Sequence, residues 1–145
     1  MAGGKATTFD NDLLKLIFNA TPIPNIADNA GTSPLTNLYF SLHTADPGAG
    51  GNQNTSEATY TSYARVAVAR TTGGFTVSSN SCVLANPATF PTPTGGAGEI
   101  ETFFAIGTAS SGTGKILYRG TLTPSHTIAV GTPPQLTTGT TVTEN

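Results

Sequence analysis

Hydrophobic and polar positions alternate most strictly over residues 37–47, NLYFSLHTADP. Leu38, Phe40 and Leu42 fall on one side of an extended chain, and Tyr39, Ser41 and His43 on the other. Successive strand side chains point to opposite faces, so the stretch predicts a half-buried β-strand. It runs into the turn signal Thr44-Ala45-Asp46-Pro47-Gly48, where Pro fixes φ and Gly relieves strain. Residues 100–107, IETFFAIG, repeat the pattern with Ile100, Phe104 and Ile106 on one face. These two are expected as the central strands of an antiparallel β-sandwich. Phe40, Leu42, Phe104, Ile106 and Leu117 are expected in its core.

The period changes near the N-terminus. Residues 1–7 read as a polar arm. Over residues 8–19, Phe9, Leu13, Leu16 and Ile17 share one face and Leu14 and Phe18 widen it, which predicts an amphipathic helix. About three turns are marginal alone, so the helix must dock its apolar face. Thr21-Pro22-Ile23-Pro24 stops it. Residues 48–62 form a long polar loop, a length that in a compact domain marks function or mobility. Residues 63–70 (YARVAVAR) predict a strand, Thr71-Thr72-Gly73-Gly74 a turn, and residues 75–79 its hairpin partner. Shorter strands are expected at 81–85, near Phe90, and at 115–122, 125–130, 135–138 and 140–144, with Gly120 a bulge or close-approach point. Eight or nine strands with a turn every 8–12 residues make a sandwich, jelly-roll-like in character, over a single domain, 1–145.

Composition narrows the surface and the partners. Charged residues make up 10% of the chain, far below the roughly 25% of average soluble proteins. Thr, Ser, Asn, Gly and Pro take their place, giving a neutral polar surface that a protein partner can cover at little desolvation cost. Six Lys and Arg, scattered singly, provide no basic stripe for nucleic acid. No apolar run approaches a membrane span. The first residues, MAGGKATTFD, lack a signal-peptide core, so synthesis in a cytoplasm is expected. Cys82 is the one cysteine and reads as a small buried apolar residue.

Candidate chemistry is sparse. Ser41, His43 and Asp46 contain the residue types of a nucleophilic triad, but Ser41 and His43 share a strand face and Asp46 has a turn to build. His43 and His126 lack a clustered third metal ligand. Glu99 and Glu101 flank Ile100 on one face and read as solvated neighbours, not an acid–base pair across a cleft. Arg65 and Arg119 are expected to pair with glutamates across strands. The Gly runs at 48–51 and 95–98 lack the residues of a phosphate-binding loop. No enzyme, cofactor or metal is expected.

Taken as a set, NDLLKLIFN, LYFSLHTADPG, YARVAVAR, FPTPTGGAGEIETFFAIG and GKILYRGTLTPSHTIAVGTPP resemble a family of small tailed-bacteriophage virion proteins, from about Asn11 onward. Relatives are often labelled tail fibre, and similar small β-proteins decorate capsids. The resemblance implies a virion structural role with no catalytic residues. A fibre needs a coiled coil, collagen-like repeat or β-helix for length, and none is present. The expected role is therefore capsid decoration: a cement protein on the outer shell, bridging major capsid protein subunits against DNA pressure, as a homodimer or other homo-oligomer. The alternatives are a tail-associated structural or receptor-binding protein, and a carbohydrate-binding module with Tyr60 and Tyr63 as its platform. Lys5, Phe9, Leu13, Asn52, Asn54 and Tyr60 are the candidate partner contacts. Far-UV circular dichroism should be dominated by β and turn signals; a mainly helical spectrum would contradict this reading.

Overall fold

The computed structural model describes residues 7–23 and 35–144, the side chains of Thr7 and Phe9 excepted. Among the described residues, one helix, α1 (Thr7–Phe18), precedes nine strands. These are β1 (Asn37–His43), β2 (Val66–Ala69), β3 (Phe75–Ser78), β4 (Ser81–Leu84), β5 (Ala88–Thr89), β6 (Ile100–Gly107), β7 (Ile116–Thr127), β8 (Gln135–Leu136) and β9 (Thr141–Thr143). Antiparallel sheets and one short helix fit the all-β sandwich class that the alternation predicts. The chain divides into two compact units: residues 1–37, 69–87 and 136–145, and residues 38–68 and 88–135.

In the first unit α1 lies against the three-stranded sheet β3-β4-β9. Leu14 and Phe18 are buried, and the Phe18 ring meets Phe75 at 4.7 Å between centroids. Cys82, Leu84 and Val142 complete the covered face, while Thr76, Ser78, Thr141 and Thr143 stand exposed on the other. Burial pushes the Cys82 thiol up to about 12, so it is the inert apolar residue expected. Ala20, at φ 52°, turns the chain out of the helix. Arg70 then fixes the helix end. Its Nε donates to Ile17 O at 2.6 Å, Nη2 to Leu16 O at 2.7 Å and Nη1 to Leu35 O at 2.6 Å. The Leu16 and Ile17 carbonyls are among those a helix terminus leaves without intrahelical partners, and a cation suits the negative end of the dipole.

In the second unit the sheet order is β2-β1-β6-β7, so β1 and β6 are the inner pair as expected. Phe40 pairs with Ile106 and Leu42 with Phe104 in register. Phe40, Leu42, Phe104 and Ile106 are buried, whereas Leu117 is half-buried because β7 is an edge strand. A Cβ on Gly120 would lie 2.7 Å from the Phe104 ring, so only glycine lets β7 approach that side chain.

Three expectations need correction. Residues 75–79 are not the hairpin partner of the 63–70 strand. A tight turn at Ser79, with φ 54°, pairs β3 with β4 instead, Ser78 opposite Ser81. Ile100 is 49% exposed, because the β6–β7 register shifts between Glu101 and Phe103 and breaks the alternation. That shift turns Glu101 inward, so Glu99 and Glu101 are not a solvated face.

Truncating Phe75 to Ala should cost about 3–4 kcal/mol, the usual price of an aromatic core cavity. Exposed Thr76→Ala should stay within about 0.5 kcal/mol. Urea unfolding of the two variants checks the contrast.

Candidate functional site

The long polar loop at 48–62, whose length marks function or mobility, lies within the second unit. It is held at both ends and in its middle. Asp46 Oδ1 accepts from Gly48 N–H at 2.8 Å, the turn that the sequence assigns it. Its carboxylate also takes Arg119 Nη1 at 2.7 and 2.8 Å, so Arg119 pairs with an aspartate, not a glutamate. Asn52 bridges Lys115 on the backbone, and His43 bridges Glu57.

Gln53 is the buried pin. Its Nε2 donates to Tyr39 O at 3.1 Å, and its Oε1 accepts from Ala109 N–H at 3.1 Å. A Cβ on Gly107 or Gly114 would lie within 2.2 Å of this amide, so both glycines make room for it. The second brace is Arg65. Its Nε and Nη2 donate to the two Glu57 carboxylate oxygens at 2.6 and 2.8 Å. Nη2 also reaches Asn54 Oδ1 and Gly112 O at 2.9 and 2.7 Å, and Nη1 reaches Ala109 O at 3.0 Å. One guanidinium therefore joins the 48–62 loop to the 108–114 loop. With its side chain 2% exposed, it must be matched in this way.

Beneath the loop β1 is buried on both faces, because Ser41 and His43 are 0% exposed. His43 Nδ1 lies 2.9 Å from Thr55 O, an acceptor only, so Nδ1 carries the proton. Nε2 then accepts from Ser41 Oγ at 2.9 Å. Burial lowers the His43 pKa and favours this neutral form, although the Thr55 carbonyl pulls the other way. The pair has the donor geometry of a serine nucleophile, but the third position is a carbonyl and Asp46 is bound to Arg119. No substrate atom reaches a hydroxyl with no exposed surface. Among the described residues, no group of three or more His, Cys, Asp or Glu is arranged to hold a metal ion. None of their helices is long and apolar enough to cross a membrane.

The aromatic platform is corrected outright. Tyr60 is 2% exposed, its hydroxyl donates to Pro91 O at 3.0 Å, and burial pushes it up to about 12. Its ring meets Tyr63 edge-on at 5.3 Å, and Tyr63 stacks on Phe90 at 6.2 Å. The Tyr63 hydroxyl donates to Glu57 Oε1 and accepts from Leu42 N–H at 3.1 Å. These rings form core, not a sugar-binding face. The tyrosine spacing gives no sign of this, because Phe90 and Pro91, which cover the two rings, lie far along the chain.

The other candidate contacts fall in different places. Lys5 and the Phe9 side chain lie outside what the structure describes. Leu13 is half-buried on α1. Asn52 Oδ1 accepts from Asn54 N–H at 2.9 Å, and Asn54 is exposed with its own Oδ1 on Arg65. Only Asn54 of the loop candidates therefore faces solvent, and it faces it from a fixed position. The residues that sequence reasoning missed are Gln53 and Glu57. A glutamine and a glutamate inside a polar run carry no signal until the fold closes over them.

A family model described as Podophage GP4 fiber I protein gp80 matches residues 5–144. No curated protein matches the chain.

Replacing Arg65 with Met should destabilise the protein by about 3 kcal/mol, since Glu57 would be left with an uncompensated, largely covered charge. Hydrogen exchange should show lost protection at Gln53 and Ala109, with β3 and β4 unchanged.

Proposed function

The chain belongs to the phage virion family described as podophage GP4 fiber I protein gp80, and on that premise we propose that it is a structural component of a bacteriophage fiber. The match over residues 5–144 carries the reading, because it takes in the helix and every strand of both units. The geometry supports a contact role without catalysis. The loops are pinned by Gln53 and Arg65, so little ordering entropy is lost when a partner covers them. The exposed rows Thr76, Ser78, Thr141 and Thr143, and Thr121, Thr123, Ser125 and Thr127 on β7, carry hydroxyls and methyls but no charge. Such surfaces desolvate cheaply against neighbouring subunits, whether copies of this chain or other virion proteins.

A second reading is favoured by one observation. The sequence has no coiled coil, collagen-like period or β-helix repeat from which a fiber draws its length. On that reading the protein decorates the outer shell and bridges major capsid protein subunits as a homodimer or other homo-oligomer. It stabilises the assembled lattice by binding it and not the separated subunits. Residues 1–6 and α1 would be among the contacts.

Gold-labelled antibody on intact virions, or a virion map, separates the two. Label confined to the fibers is the expected result. Label spread over capsid seams would overturn it in favour of decoration. Deleting residues 1–6, which precede α1, should lower incorporation into particles while the circular dichroism spectrum stays β-dominated.

A further inference from the structure

The fiber reading leaves a buried carboxyl group unused. Glu101 is 0% exposed, and neither of its carboxyl oxygens meets an N–H or O–H donor among the described residues. What faces it is the Glu99 carboxyl, two positions back on the same side of the chain. Two carboxyl groups form a hydrogen bond only when one of them carries a proton. Glu99 is the one supplied with donors. It accepts from Thr59 N–H at 2.8 Å, Tyr60 N–H at 3.0 Å and the Thr59 hydroxyl. Burial opposes its charge, but these donors and Glu101 outweigh burial and hold its pKa below the ordinary range.

We propose that the Glu99–Glu101 pair is a proton-dependent clamp: protonated Glu101 donates to the Glu99 carboxylate, which pins the 59–62 segment to the start of β6, and loss of that proton releases the segment. The clamped segment is stitched further to the 91–96 connection. Thr61 N–H donates to Gly95 O, Thr94 N–H donates to Thr61 O, and Ser62 Oγ lies 2.6 Å from Thr94 Oγ1. A Cβ on Gly96 would lie 2.8 Å from Tyr60 Cα, so the two segments are in close contact. Thr59, Thr61, Ser62 and Thr94 are exposed, and the clamp therefore sets the shape of an outward surface.

The groups facing the pair are few. From β7, His126 stands opposite Glu101 in register, with its Nε2 buried and without a hydrogen-bond partner among the described residues. From the 58–60 segment comes Tyr60, which holds its proton up to about 12. The ion pairs Arg65–Glu57 and Arg119–Asp46 use other carboxylates.

Burial first, and then the Glu99 carboxylate, push Glu101 up to about 8 from an ordinary 4.5. Below 4.5 the Glu101 proton is bound whether the clamp is closed or open, so the Glu101 contribution is fully present. Between 4.5 and 8 only the closed form keeps it, so closure weakens as pH rises and levels off above 8. Glu99, shifted the other way, acts only below its ordinary range. Its contribution is lost as pH falls.

The test is hydrogen exchange at the Thr59 and Tyr60 amides, corrected for intrinsic rates. In the wild-type chain the opening constant should rise up to tenfold per pH unit from about 5 to 8, then level. Glu101→Gln keeps a donor that cannot ionise and should flatten the profile, while His126→Asn should leave the slope in place. A flat wild-type profile, a slope that survives Glu101→Gln, or a slope lost in His126→Asn would each overturn the clamp. Should Glu101→Gln fail to fold, the Glu101 carboxyl resonance in the wild-type chain decides: titration near 8 supports the proposal, and titration near 4.5 overturns it.

Discussion

A buried cation has to be matched, and Arg65 is matched by nearly everything around it. Its Coulomb partner Glu57 also takes the Tyr63 hydroxyl, which in turn receives the Leu42 N–H of β1. The same guanidinium holds Asn54, Ala109 and Gly112. A central strand, two loops and an aromatic cluster are thus tied to one charge. Removing it would leave a covered carboxylate without its counter-charge and take a donor from Ala109 O, a cost far above the net worth of the pair itself. Such an arrangement gives modest stability and strong specification. The loops have one satisfied conformation, and any other leaves polar groups dry and unbonded.

That constraint separates what the sequence makes legible from what it hides. β1 and β6 could be read because alternation is local: Leu38, Phe40 and Leu42 announce a face within five residues. The helix over 8–19 could be read for the same reason, and it forms over Thr7–Phe18. The inward turn of Glu101 and the outward turn of Ile100 could not. They follow from a register shift against β7, a property of two strands and not of either one. The β3–β4 pairing was missed because Gly73-Gly74 is the louder turn signal, yet Ser79 accepts the positive φ that closes the hairpin.

The site was legible only in outline. Residues 48–62 stand out by length and polarity, and they do gather at the second unit's sheet. Their polarity does not mean solvent, though. Gln53 and Glu57 serve the interior, while Tyr60, an amphipathic residue that reads as exposed, sits in the core. Some of the partners lie 40 or more positions away, such as Ala109 for Gln53 and Arg65. Sequence spacing carries no trace of such pairs.

What remains on the surface decides how the molecule can work. With Arg65 matched by Glu57 and Arg119 by Asp46, the exposed rows at Thr76, Ser78, Thr141 and Thr143 and at Thr121, Thr123, Ser125 and Thr127 carry only hydroxyl-bearing side chains. A hydroxyl face gives no long-range steering, so recognition rests on shape and on short hydrogen bonds made at contact. Single contacts of this kind are weak. They become firm where many copies are held side by side, because each further contact forms at high effective concentration. A fiber and a capsid lattice both supply that repetition. A surface of this type therefore fits a protein that functions in place within a virion assembly, where its neighbours are fixed before it binds.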